Sequence, residues 1–308
     1  MRKLLSVLAL LTTLSAAAQA ASYKNAFDAY QKGDYAAALK LLRPLAEAGD
    51  AKAQYDVGAM YNNALGTKTD YAEAAKWLRK AASQGNEYAE VDLALLYEFG
   101  RGVTKDYKEA LRLFHLAADR KNSTAELNIG SMYEHGFGVT QDYKQAEKWY
   151  RTASDHGSAE AQYDIAQMHA AGRGVAQDYK QAAAWYRKAA SRGNDSAQLN
   201  LGALYYAGQG VAKDPKEALK WFRMAAQQGN GHAQYDLATL YAQGDGTAQN
   251  LPRALIWFSA AAATLSGDEA KTAAENSKAV AAAMTSDQRA QAKSFAQDCK
   301  TGNYAKCQ

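Results

Sequence analysis

This sequence predicts an all-α fold, a right-handed α/α solenoid of six 36-residue helix-turn-helix repeats with helical caps at both ends. Three observations carry that expectation. The loop GRGVTKDYKEA at Gly100 returns as GFGVTQDYKQA at Gly136, GRGVAQDYKQA at Gly172 and GQGVAKDPKEA at Gly208, each 36 residues after the last. Between the loops, small and aromatic residues recur at helical spacing. Outside 51–266 the period stops. A unit of this kind packs only on its neighbours, so the repeat overrides any domain count taken from the length of 308 residues.

The first 20 residues differ from the rest. Arg2 and Lys3 precede a largely apolar run from Leu4 to Leu14, and Ala18-Gln19-Ala20 forms a small-x-small cleavage site. Residues 1–20 therefore read as a secretory signal peptide, with Ala21 as the first mature residue. The run is shorter than the roughly 20 residues that span a bilayer. No cysteine follows it to carry a lipid, and no later run is long enough for a membrane span. A periplasmic or secreted location is expected. Without Arg2 and Lys3 the net charge falls from +4 to about +2, with both signs evenly spread. Nucleic-acid binders show a clustered basic face; this chain has none, and no nucleic-acid partner is expected.

Six units tile the chain: 51–86, 87–122, 123–158, 159–194, 195–230 and 231–266. In the fourth, Ala161, Ile165 and Met168 fall on one face of a first helix, called helix A. Small residues recur there (Gly58, Ala94, Gly130, Ala166, Gly202, Ala238) and let a neighbouring helix approach closely. Three places on comes a row of Tyr61, Tyr97, Tyr133, His169, Tyr205 and Tyr241. The G-x-G-V loop ends helix A, because glycine accepts the left-handed backbone of a tight turn. Asp70, Asp106, Asp142, Asp178, Asp214 and Asn250 then cap helix B, and Pro215 sits at a first helical position that tolerates it. Helix B carries Trp77, Leu113, Trp149, Trp185, Trp221 and Trp257 as its large core row. Gly85, Gly157, Gly193 and Gly229 end it; Lys121 and Leu265 hold the matching places, so different turns are expected there. The loops are not dinucleotide fingerprints. Those need a preceding strand and a third glycine, whereas a helix precedes here and the third place holds Lys105, Gln141, Gln177 or Lys213.

Small-x-x-aromatic in helix A, G-x-G-V-x-x-D in the turn and Ala-x-x-Trp in helix B resemble the Sel-one-like repeat family, an exported bacterial type of tetratricopeptide-related α-solenoid. The resemblance covers 51–266. Residues 21–50 look like a shorter tetratricopeptide-type helix pair that caps the N-terminus. Ala64 and Thr67 in unit one, Leu113 in unit two and Thr247 in unit six depart from the pattern, which bears on turn geometry near the ends of the array. From 267 to 308 the reading is two C-terminal capping helices, the last opened by a capping box of Thr285 and Gln288. Cys299 and Cys307 are the only cysteines, and in an oxidising compartment they are expected to form a disulfide.

Reactive constellations are missing from the sequence. The five histidines include no i, i+4 pair and no H-E-x-x-H, and no G-x-S-x-G occurs. No metal, cofactor or catalytic residue is expected. His169 takes a tyrosine's place and reads as a packed core histidine. Cysteine-rich members of the resembled family are linked to β-lactam hydrolysis or binding, but this chain has no cysteine from Ala51 to Ser266.

The resemblance implies a protein-binding scaffold, with helix A lining a concave face. Aligned with the tetratricopeptide pattern, its outward places supply Tyr88, Glu98, Phe99, Glu134, His135, Gln167, Tyr206, His232 and Gln243 as candidate partner contacts. These places vary from unit to unit, as a partner surface would, and equally as unconstrained solvent positions would. The expected function is a non-catalytic periplasmic scaffold for another protein, acting as a monomer. Two alternatives stay open: an immunity protein that neutralises a secreted antibacterial effector such as a lipase, and a peptidoglycan or glycan binder whose tyrosines stack on sugars.

Overall fold

Every repeat is started twice by a side chain. Asp50, Asn86, Asn122, Ser158, Asn194 and Asn230 each accept the backbone N–H three residues on and so cap helix A. Asp70, Asp106, Asp142, Asp178, Asp214 and Asn250 do the same for helix B. Each such cap is worth about 1 kcal/mol. The backbone N–H of the helix B cap donates in turn to the carbonyl of the helix A aromatic row, as from Asp106 to Tyr97 at 3.0 Å. The His169 carbonyl accepts the same bond from the Asp178 N–H, 2.9 Å, so it keeps the tyrosine's backbone role.

The computed structural model describes residues 22–298. The expected leader at 1–20, Cys299 and Cys307 with their disulfide all lie outside the described residues. The fold is an all-α solenoid of packed helix pairs in two units, divided after His156. In the first unit α1 spans 22–31, followed by α2 (Tyr35–Glu47), α3 (Ala51–Asn62), α4 (Tyr71–Ser83), α5 (Glu87–Phe99), α6 (Tyr107–Ala118), α7 (Ser123–His135) and α8 (Tyr143–Asp155). From α2 on, each helix packs on the next. In the second unit α9 (Ala159–Ala171), α10 (Tyr179–Ser191), α11 (Asp195–Ala207), α12 (Pro215–Gln227), α13 (Gly231–Gln243) and α14 (Leu251–Thr264) follow the same rule. There α15 (Gly267–Ala283) and α16 (Ser286–Asp298) both pack on α14. Thr285 and Gln288 form the capping box: the Gln288 side chain accepts from the Thr285 N–H at 2.9 Å and the Thr285 hydroxyl from the Gln288 N–H at 3.3 Å. No helix among the described residues is long and apolar enough to cross a membrane.

The second turn glycine is required by close approach as well as by its backbone. Gly102 has φ +67, and a Cβ there would lie 2.2 Å from the carbonyl carbon of Tyr71, the first residue of α4. The loop thus lies directly on the start of the previous helix B. Gly130 serves a different contact, since a Cβ on it would stand 2.6 Å from the Tyr150 ring. Fully buried Phe114, Leu78 and Ile129 belong to the first unit's core, while Phe258, Trp257 and Leu237 anchor that of the second. Burying one such side chain contributes about 2–3 kcal/mol.

Two sequence expectations are corrected. Lys121 adopts φ +64, the left-handed conformation of the glycine it replaces, so the unit-two turn keeps its shape. Ala64 likewise takes φ +56, and the first turn follows the common geometry. Leu265 does differ: it leaves α14 in an extended conformation.

A buried polar rung inside the repeats escaped the sequence reading. The fourth residue of each unit (Gln54, Glu90, Glu126, Gln162, Gln198, Gln234) is nearly solvent-free. Its side chain meets the residue 30 places later: Gln54 with Gln84 at 2.8 Å, Glu90 with Arg120 at 2.9 Å, Gln198 with Gln228 at 2.9 Å and Gln234 with Thr264 at 3.1 Å. Acids meet bases and amides meet neutral groups, so each buried charge is compensated. The fourth repeat breaks the rule: Arg192 donates to the Gly157 carbonyl instead, at 2.7 Å, and the Gln162 oxygen has no partner among the described residues.

Candidate functional site

Polar-aromatic faces of three helices of the first unit border two adjoining recesses. On α1, Tyr23, Phe27 and Tyr30 fall at i, i+4 and i+7 spacing, a single stripe. On α3 the matching stripe is Lys52, Tyr55, Asp56 and Ala59, with Asn63 continuing it at the C-cap. On α5 it is Tyr88 and Asp92, one turn apart. Between α1 and α3 lies an open cavity of about 440 Å³, floored by Leu42, Met60 and Leu65. A second recess of about 490 Å³ runs from α3 to Tyr88, and the two share Lys52, Tyr55 and Asp56.

The rim is unusually apolar for a surface. Phe27 is 52% exposed, Tyr88 57% and Tyr30 38%. Tyr55 and Tyr88 lie ring to ring at 5.9 Å, and the Lys52 ammonium stands 4.4 Å from the centre of the Tyr23 ring. The Tyr23 hydroxyl donates to Asp56. Burial pushes the Asp56 carboxyl up, against the opposing pull of Tyr23 and Lys52. Asp92 rises further, to about 6, through burial alone. Among the described residues it has no hydrogen bond and no ion pair. Tyr55 is pushed up to about 12, by burial first and then by the carboxylates of Asp92 and Asp56.

The residues singled out from sequence do not form one site. In the first unit only Tyr88 borders the recess. Phe99 is 56% exposed at the far end of α5, about 16 Å along the helix from Tyr88, under the Arg101 guanidinium at 5.1 Å. Exposed His135 stacks on Phe137 at 5.4 Å near that end. Glu98 is half-buried, one of its carboxylate oxygens has no hydrogen-bond partner among the described residues, and burial raises its pKa. Glu134 is only 6% exposed and accepts the Tyr150 hydroxyl at 2.7 Å, so it is a core residue and not a partner contact. In the second unit Gln167 is half-buried and donates to the Tyr163 hydroxyl. Tyr206 is half-covered and donates to Asp245 of the next loop at 3.2 Å. His232 is exposed beside a separate cavity of about 360 Å³ with Tyr235 and Asp268. Gln243 is exposed at the end of α13.

Sequence reasoning missed Tyr23, Phe27, Tyr30, Tyr55, Asp56 and Asp92. A signal existed. The i, i+4, i+7 aromatics before residue 51 belong to no repeat row. The sixth place of the units carries Asp56, Asp92, Asp164 and Asp236 on helix A, next to the buried fourth and seventh places.

Comparison with known proteins agrees with this architecture. Comparison with curated proteins gives no match. Among solved structures, a Sel1 repeat protein from Oxalobacter formigenes is 31% identical, with a TM-score of 0.67 over 78% of this chain and 96% of that one. The c5321 protective antigen of uropathogenic Escherichia coli, described as displaying an SLR fold, is 29% identical over 94% of this chain and 70% of its own, with a TM-score of 0.49. Immunity protein Pa5087 from Pseudomonas aeruginosa is 20% identical over 76% of this chain and 83% of its own, with a TM-score of 0.45. The Sel1 repeat model matches residues 51–86, 87–122, 123–158, 159–194, 195–230 and 231–263. The sixth match stops just before Leu265, where the turn departs from the common form. Six consecutive matches in register with the capped helix pairs place this chain in the Sel1 repeat family.

Proposed function

We propose that this chain is an exported, non-catalytic scaffold that binds a partner protein through the helix A face of its first unit. Sel1 repeat proteins serve as protein-interaction scaffolds. The carrying observation is the set of exposed rings, Phe27 and Tyr30 at one open recess and Tyr88 at the adjoining one, on a capped, well-packed scaffold. Aromatic anchors beside pockets dominate the energetics of many interfaces. The leader-like residues 1–20 support export, so the partner is sought in the cell envelope or outside it.

The test is retention of partners from an envelope extract by the immobilised protein and by a Phe27→Ala, Tyr88→Ala double variant. Both residues are more than half exposed, so the variant is expected to fold, which its melting curve checks. A protein held by the native chain and lost by the folded variant supports the reading. A partner held equally by both overturns it.

A further inference from the structure

Resting on that scaffold reading, we infer that the surface around Asp92, beside the recess that Tyr55 and Tyr88 line, takes a lysine or arginine side chain presented by the partner polypeptide. The receiving groups are the Asp92 carboxylate and the rings of Tyr55 and Tyr88. Asp92 is half-buried and meets no cation and no hydrogen-bond donor among the described residues; it lies one turn from Tyr88 on α5 and close enough to Tyr55 of α3 to act on its hydroxyl, and those two rings stand 5.9 Å apart. A carboxylate withdrawn from water without a partner costs stability. Asn128 and Asn200 hold the equivalent places in other repeats, so the helix A face accommodates a neutral isostere at this place.

Charge complementarity selects the occupant. An anionic group would meet both Asp56 and Asp92. An apolar side chain would leave Asp92 further desolvated and still unpaired. A cation gains twice, by an ion pair with Asp92 and by cation–π contact with Tyr55 and Tyr88. Lys52 does not fill this role: it lies over the Tyr23 ring at 4.4 Å, next to Asp56. Its position on the α1 side shows that a cation resting on an aromatic face already occurs in the recess.

The experiment is calorimetric titration of the whole chain with a short acetylated peptide alternating lysine and alanine, its arginine counterpart, and a control with glutamine in place of lysine. Either cationic peptide is expected to bind at least tenfold tighter than the control. Asp92→Asn, which preserves shape, is expected to erase that advantage, and Asp268→Asn in the second unit to leave it intact. Equal binding of cationic and glutamine peptides, no binding of any peptide at millimolar concentration, or an undiminished preference in Asp92→Asn overturns the inference. Those outcomes leave the scaffold reading standing if the double variant above loses its partner. If the double variant keeps its partner, the scaffold reading falls, whatever the peptides do.

Discussion

The imidazole Nδ1 of His156 lies 2.8 Å from both carboxylate oxygens of Glu126, whose side chain is only 2% exposed. The pair joins the start of α7 to the C-cap of α8 across one repeat, where other repeats use Gln with Gln, Glu with Arg or Gln with Thr. His156→Ala leaves the buried carboxylate without its donor and is expected to cost about 2–3 kcal/mol. Changing both residues to Gln copies the pairing of Gln198 with Gln228 and is expected to recover most of that loss. Urea denaturation of the double-mutant cycle is the check. A coupling below about 0.5 kcal/mol would mean that the rung contributes no pairwise stabilisation.

Lys121 holds a left-handed backbone at φ +64 in a place filled by glycine in neighbouring repeats. That conformation costs a side-chain-bearing residue roughly 1–2 kcal/mol. Lys121→Gly is therefore expected to raise stability by about 1 kcal/mol, less the entropy that glycine adds to the unfolded chain. Thermal melting measures it, and a lowered midpoint would show that the turn tolerates lysine without strain.

Gly102→Ala is expected to act in the opposite direction. The new Cβ meets the Tyr71 backbone at 2.2 Å, and backbone at the start of α4 cannot move aside as a flexible side chain would. A loss of about 3 kcal/mol follows from overpacking together with the positive φ. Gly193→Ala shares the positive φ but has nothing within 4 Å, so it serves as the control, with a smaller loss. Equal losses in the two variants would show that close approach adds nothing.

Asp92 and Asp236, on equivalent places of helix A, both titrate near 6 in the folded chain because burial disfavours their charged forms. Unfolded, an aspartate titrates near about 3.9. The folded values are raised, so the stability these groups contribute is fully present below about pH 4 and is lost as pH rises through 6. The shift corresponds to at most about 3 kcal/mol per group, and partial exposure reduces the expected effect to about 2 kcal/mol. Asp92→Asn should match the native chain at pH 4 and exceed it at pH 7.5 in denaturant titrations. A constant difference at both pH values would contradict the assignment.

The repeat geometry was legible because each rule is written several times. Asp106 and its copies cap and Gly100 and its copies turn, so repeated local signals corrected one another; the large row fills the core at Trp77, Leu113, Trp221 and Trp257, while Trp149 and Trp185 are only partly buried and the adjacent Tyr150 and Tyr186 are buried instead. Single-instance features were not legible. Glu134 sits on a row whose other members include alanine and asparagine, and only Tyr150, 16 residues later, supplies the hydroxyl that draws its carboxylate inward. Whether Tyr206 is free or covered is not written in its own repeat; the packing of the next loop decides it by setting Asp245 against its hydroxyl. The recess depended on α1, which lies outside the period, and on three helices meeting, which helical spacing along one segment cannot reveal. Asp92 gave a weak signal, since a half-buried acid without a partner is visible only once its neighbours are placed.

Site-specific photocrosslinking tests the central claim most directly. A benzophenone side chain would replace Tyr88 on the helix A face or Lys76 on helix B of the same unit, both at exposed positions. Partner protein joined at position 88 and not at 76 is the result this account expects. Partner joined at 76 and not at 88 would place binding on the helix B face and contradict it.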